Sequence, residues 1–288
     1  MKIKIVMLKS PVELCTAACR TIYPFGHYKC EDSVKQWTQR VMHKSDDLPQ
    51  GDVFEWRRGD NSAKGTALLF DAAMCNVWYA QNLLRQSKFV NSQDACKQCA
   101  KAASIYKFVV ADLLPKWTHV TQATQTIPDA VARDIYGHYC LSRAMQYDNL
   151  RESAPESTSA AAQIKMFANS CLMYATAAQL IRDEDGEYMK LATERKGDAL
   201  CAMANVYHET HYNENSTDTT AIGICAALFD EASQCYEFAD KDTLCQQTAA
   251  SCQAARESNA RSYHCKEELP NLAGLFTLNC SESAKWIT

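Results

Sequence analysis

Lys64 to Leu84 reads KGTALLFDAAMCNVWYAQNLL. Leu68, Ala72, Cys75, Tyr79 and Leu83 recur at helical spacing along one side, and Phe70, Ala73, Val77, Ala80 and Leu84 do so along another. A helix with two apolar faces has to be covered on both. Water keeps only a narrow strip through Asp71, Trp78 and Arg85. The stretch therefore predicts an element in the middle of a stack of helices, with neighbours drawn from the chain before and after it.

Downstream, Ser92 is placed to cap a helix from Gln93 to about Leu114. Its inward face runs through Ala95, Cys99, Ala102, Tyr106, Val109 and Leu113, and Lys97 and Lys101 mark the solvent side. The short connection makes it an antiparallel neighbour of the first helix. Ile127-Pro128-Asp129 opens a long helix to about Glu152, with Val131, Ile135, Tyr139 and Met145 inside. Ser153 to Ser159, containing Pro155, is a loop. Ala160 to about Ile181 follows, with Ile164, Phe167, Cys171, Ala175 and Ala178 as the inward set. The acidic run Asp183 to Glu187 suits the start of the next helix, which ends near His211 before the polar tract Asn213 to Thr219. Two more helices span about Thr220 to Phe238 and Lys241 to Ala260. From Arg261 onward, Pro270 and Gly274 predict extended chain lying over the body.

Upstream, Lys2 to Leu8 alternates lysines with Ile3, Ile5 and Met7 and reads as a strand. Helices are predicted from Pro11 to about Ile22 and from Glu31 to about Lys44, and Asp52 to Trp56 is a second strand able to pair with the first. The fold class is mainly all-α: an elongated, curved helical array with a tetratricopeptide-like core and a small N-terminal β-sheet, one domain over residues 1–288.

Composition agrees. With 288 residues, 47% hydrophobic, the chain can bury a sizeable core, and nine Gly and seven Pro are few for a turn-rich β architecture. The net charge of -4 is uneven: +2 over residues 1–60, +3 over 61–150, -9 over 151–240 and 0 beyond. No dense basic stripe with interleaved aromatics supports nucleic-acid binding. The opening MKIKIVMLKS has too short an apolar run for a signal peptide, and no stretch approaches a membrane span. Fifteen cysteines, an odd number without a small-domain framework, read as reduced, metal-free thiols of a cytoplasmic protein.

Motifs with chemical meaning fail on spacing. Cys96-x-x-Cys99 lacks a second pair to complete a zinc site, and Cys15 and Cys19 read as helix packing. His208-Glu209-Thr210-His211 holds its histidines three apart, where a metalloprotease helix needs HExxH. Asp183-Glu184-Asp185-Gly186 has its glycine too early for a calcium loop. GxSxG, P-loop and GxGxxG patterns are missing. The reading is a binding scaffold with no catalytic residues and no cofactor.

Several short motifs, in order, carry a family resemblance. Val6-Met7-Leu8-Lys9-Ser10 looks like an opening strand ending in Leu-Lys-Ser/Thr, and Phe54-Glu55-Trp56 like an FxW strand. Leu69-Phe70-Asp71 is similar to a Leu-Phe-Asn central helix, with Asp in place of Asn, and Ala102-Ala103-Ser104-Ile105-Tyr106 to an Ala-Ala/Ser-x-x-Phe segment. Asn259, Tyr263-His264 and Pro270-Asn271-Leu272 resemble a closing Asn, Tyr-His, Pro-x-Leu pattern. Together they resemble the Bro-type (BRO) domain of Alix and related endosomal sorting adaptors, over about residues 3 to 275.

The resemblance implies a non-enzymatic, banana-shaped array whose concave groove binds the C-terminal amphipathic helix of an ESCRT-III subunit, in the cytoplasm and at endosomes. Aligning Ala168-Asn169 and Tyr174 with the family's Ala-Asn and Tyr implies that Phe167 and Gln163 meet that helix, with Tyr147 near a third contact. Ile164 lies beside them, and a slip of one residue exchanges it with Gln163. Phe167 and Ile164 also belong to the inward set, so a core role stands against the groove role. The basic balance of the first 150 residues implies peripheral contact with an acidic membrane, against the alternative of plainly solvated lysines. The competing functions are a Bro-type scaffold for another protein partner and an all-helical enzyme.

Overall fold

The computed structural model describes residues 65–113, 126–181, 183, 185–211 and 220–276. Among them are seven α-helices and no strand: α1 (Gly65–Ser87), α2 (Ser92–Phe108), α3 (Thr126–Glu152), α4 (Ala160–Leu180), α5 (Glu187–His211), α6 (Ala221–Phe238) and α7 (Asp242–Ser262). The helical reading therefore holds over these residues. The two strand-like runs, Lys2 to Leu8 and Asp52 to Trp56, and the helices predicted before Lys64 lie outside the described residues. No described helix is long and apolar enough to cross a membrane. The chain divides into two compact units, Met1–Ser142 and Arg143–Thr288, and the boundary falls inside α3.

In the first unit α1 packs on α2. Ala73, Val77, Ala80 and Leu84 of one predicted face are buried, and so is Leu83 of the other. Asn76 and Gln81 are buried as well, so α1 has even less polar surface than its sequence suggests. All six inward residues expected for the second helix, Ala95, Cys99, Ala102, Tyr106, Val109 and Leu113, are buried, while Lys97 and Lys101 are exposed. Alanines at this contact let the two axes approach closely.

Two details of this hairpin differ from the reading. The cap of α2 is Asn91 rather than Ser92: its extended backbone lets the side-chain oxygen accept the Asp94 N–H at 3.0 Å. The helix also ends in a π-helical turn, Val109–Leu113. Val109, Val110 and Leu113 of this turn are all buried.

In the second unit consecutive helices pack in sequence, α4 on α5, α5 on α6 and α6 on α7. Here α6 is the central element, because Ile222, Cys225, Ala226, Leu228, Phe229 and Ala232 bury it on most sides. Each Leu, Ile or Phe so enclosed stabilises the fold by about 1.5–3 kcal/mol. Helix entries follow ordinary capping chemistry. The Ser159 hydroxyl accepts the Ala162 N–H at 3.3 Å, and Asp183 Oδ2 accepts the N–H groups of Tyr188 (3.0 Å) and Met189 (3.3 Å).

Beyond α7 the chain is non-helical to Phe276 and lies over the unit, with Leu272 and Phe276 packed on the core. Asn259 clasps the turn: its amide donates to the Cys265 carbonyl and its oxygen accepts the Cys265 N–H, both at 2.8 Å. His264 takes the left-handed backbone (φ 54°) that reverses the chain. The segment passes so near α6 that a Cβ on Gly223 would stand 2.4 Å from the Lys266 carbonyl oxygen.

Ten of the cysteines within the described residues are unbridged. Burial pushes the Cys171 thiol up to about 12, and those of Cys225 and Cys235 to about 11. Such thiols are poor nucleophiles, and they make packing atoms of otherwise reactive groups.

Two outcomes follow from this packing. Gly223→Ala should lift the 264–276 segment and cost about 1–3 kcal/mol, an overpacking penalty, read as a lower urea midpoint with faster proteolysis after Ser262. The thiols set an alkaline limit. Their folded values lie above the ordinary 9.0, so their stabilising share is complete below pH 9.0 and is lost between 9.0 and about 12 as the unfolded chain ionises first. Urea midpoints measured upward from neutral pH should fall across that window, and replacing Cys171 with Ala should reduce the fall.

Candidate functional site

The four residues singled out by resemblance lie on the second half of α3 and the first half of α4, within the second unit. Tyr147, Gln163, Ile164 and Phe167 are all half-buried. The buried residues of α4 are instead Ala168, Ser170, Cys171, Tyr174, Thr176 and Ala177. Of the inward set expected for this helix, only Cys171 is fully buried, and Ile164, Phe167, Ala175 and Ala178 are not. The helix is rotated from its expected setting because its polar residues have buried work to do.

That work centres on Asp148, one residue after Tyr147. Its Oδ1 accepts from Ser170 Oγ at 2.7 Å and from Arg195 Nε at 2.9 Å, and its Oδ2 accepts from Tyr174 Oη at 3.2 Å. Arg195 then reaches Asp198 Oδ2 at 2.8 Å and Glu194 Oε1 at 3.2 Å. Asp198 Oδ1 accepts from Tyr236 Oη at 2.8 Å, and Glu194 Oε2 pairs with Lys241 at 3.2 Å. The chain of contacts links α3, α4, α5 and α6. Burial opposes the charge of Arg195, yet Asp148 and Asp198 outweigh it and hold the guanidinium above its ordinary value. Burial and the facing Asp198 carboxylate keep the Tyr236 phenol protonated well past its usual range. Every carboxylate here is engaged by at least one donor, which makes the cluster a lattice tying the four helices together.

The other face of α3 carries arginines at helical spacing around Tyr147. The Arg143 guanidinium lies 4.9 Å from the Tyr147 ring centroid and donates to its hydroxyl at 2.8 Å. One turn further, Arg151 lies 5.0 Å from the centroid of the Phe167 ring, which reaches across from α4. The stripe Arg143, Tyr147, Arg151 with Phe167 beside it thus alternates cation and aromatic ring. Arg143 and Arg151 were not among the sequence candidates, although the i, i+4, i+8 spacing was legible. Gln163 is held locally, its amide donating to the Thr158 carbonyl at 3.3 Å. Leu150 adds a further exposed apolar side chain on α3.

The other motifs resolve into local structure. Cys99 is buried in the α1–α2 contact and Cys96 half-buried. His208 and Glu209 are exposed in the last turn of α5, and Asp183 caps its first turn. Among the described residues no group of three His, Cys, Asp or Glu side chains converges as a metal site.

The lattice makes a quantitative claim. Asp148→Ala leaves Arg195 short of one of its buried partners and should cost about 3 kcal/mol, the low end for breaking a buried pair, since Asp198 and Glu194 remain. Asp148→Asn keeps acceptors for Ser170 and Arg195 and should cost less. Chemical denaturation of the two variants measures the difference, and equal losses would mean that the charge carries the whole contribution and the retained acceptor none.

No protein-family model, curated protein or solved structure matches this chain. A functional reading therefore stands on its residues.

Proposed function

We propose that the chain is a non-enzymatic adaptor of the Bro type, a curved tetratricopeptide-like array that binds the C-terminal amphipathic helix of an ESCRT-III subunit. The observation that carries this reading is the half-buried Tyr147, Ile164 and Phe167 on adjoining parts of α3 and α4, outside the buried core. An amphipathic helix laid in a groove needs such anchors, apolar enough to be covered and open enough to be reached. The ordered motifs from Val6 to Leu272 support the family, and a cytoplasmic protein that visits endosomes is the corresponding setting. Gln163, turned to the Thr158 carbonyl, would contribute less than the aromatic pair.

A Bro-type scaffold serving a different protein partner would use the same face. The enzyme reading is less favoured, because the carboxylates gathered around Arg195 are each occupied by a structural donor.

The test is binding of a synthetic ESCRT-III C-terminal helix, followed by fluorescence anisotropy. Tyr147→Ala and Phe167→Asp should each weaken it by about 2 kcal/mol or more, the loss typical of a hot-spot aromatic, with a nearly unchanged thermal midpoint. A wild-type chain that does not bind the helix sinks the ESCRT reading. If Phe167→Asp unfolds the second unit, the residue belongs to the core.

A further inference from the structure

The connector from α3 to α4 places one serine in the open beside an acid. Ser153 is exposed, as are Glu152, Pro155, Glu156 and Ser157 around it, and the backbone from 153 to 159 is non-helical. Pro155 cannot continue a helix, so the segment stays open, as the cleft of a kinase requires of its substrate. The order Ser153-Ala154-Pro155-Glu156 sets a carboxylate three positions after the hydroxyl, and Glu152 sets another just before it. Acidophilic serine kinases select such a carboxylate through basic groups of their own, a charge-assisted contact. Ser157 and Ser159, also exposed in the connector, have alanine three positions on. Among the described residues no other exposed serine or threonine has an acid there.

The end of α3 decides what a phosphate would do. The Ser153 hydroxyl donates to the Asn149 carbonyl at 2.8 Å and to the Leu150 carbonyl at 3.2 Å, which closes the last helical turn. Once esterified, the oxygen has no hydrogen to donate, and about two negative charges stand at the negative end of the helix dipole, between Glu152 and Glu156. The nearest cation along the chain is Arg151. Its Nη2 stands 3.7 Å from the Glu152 carboxylate, and its Nε is buried with no hydrogen-bond partner among the described residues. Its guanidinium otherwise lies over the Phe167 ring, 5.0 Å from the centroid. An unused donor two residues from an exposed serine is half of a charge-assisted pair, and a phosphate completes it.

We propose that Ser153 is a phosphorylation site for an acidophilic serine kinase, and that the phosphate draws Arg151 away from Phe167. In the transfer Ser153 Oγ attacks the γ-phosphorus of ATP. The new Oγ–P bond replaces the bond to the β-phosphate oxygen, ADP leaves, and the hydroxyl proton passes to the base of the kinase. The site itself stands on the connector and on Arg151. Its effect on binding rests on the ESCRT-III reading of the α3–α4 face: with Arg151 held by the phosphate, a partner helix no longer has to displace it from the Phe167 ring, which favours binding about two- to fivefold.

The experiment incubates the full chain with ATP and a recombinant acidophilic kinase of the casein type, and locates the phosphate by peptide mass spectrometry. Incorporation is expected at Ser153, and Glu156→Ala should slow it about tenfold or more, the loss of one charge-assisted contact. In phosphorus NMR, the resonance that Ser153→Ala removes should titrate at lower pH than it does in Arg151→Gln, where Glu152 and Glu156 act on the dianion unopposed. The synthetic ESCRT-III helix should bind the phosphorylated chain about two- to fivefold more tightly by anisotropy. No phosphate at Ser153, or an unchanged rate with Glu156→Ala, would overturn the site. A resonance that titrates alike with and without Arg151, or a helix that binds both forms of the chain equally, would overturn the switch. A chain that takes the phosphate and pairs it with Arg151, yet binds no helix in either form, supports the site and sinks the ESCRT-III reading by itself.

Discussion

The second unit depends on keeping one charge satisfied where water barely reaches it. Arg195 is only 15% exposed in its side chain, and removing a guanidinium from water costs several kcal/mol unless partners return it. Asp148 from α3 and Asp198 from its own helix return most of it, with Glu194 alongside. The two aspartates in turn recruit hydroxyls from other helices, Asp148 those of Ser170 and Tyr174 from α4 and Asp198 that of Tyr236 from α6. Apolar packing alone tolerates a helix sliding or rolling by a residue. A guanidinium fork with fixed donors and acceptors does not, so the lattice sets the register of four helices.

The candidate binding face follows from the same constraint. Successive residues of a helix point about 100° apart, so fixing Asp148 inward fixes where Tyr147 stands, and with it Arg143 and Arg151 at one-turn spacing. On α4, committing Ser170 and Tyr174 to Asp148 turns the helix so that Ile164 and Phe167 leave the core for its margin. The arginines that cover the aromatic rings keep two large apolar faces from lying bare to water.

Small residues give both units their close packing. Alanine and cysteine line the α1–α2 contact, and alanine, glycine and cysteine line α6, where Gly223 admits the returning chain. The closing motif residues have mechanical roles: Asn259 clasps Cys265, Tyr263 and His264 make the reversal, and Leu272 plugs the core. A pattern of that kind marks how an architecture is closed. It does not by itself mark what the architecture binds.

Helix positions, most of their ends and the inward face of α2 were determined by the sequence alone, because apolar spacing, Pro, and Ser or Asp caps act locally. Ala95 through Leu113 and the Ser159 and Asp183 starts are read from neighbours a few residues away. The cap at Asn91 and the π-helical turn are near misses of the same local kind. The rotation of α4 and the standing of Ile164 and Phe167 were decided only by tertiary structure. Ser170 and Tyr174 fall outside the inward set until Asp148, over twenty positions away, accepts their hydroxyls and is itself met by Arg195, 47 beyond it. A hydrophobicity pattern treats polar residues as outward, and a buried ion pair with its hydrogen bonds reverses that assignment, since leaving such groups unpaired costs more than burying apolar atoms gains.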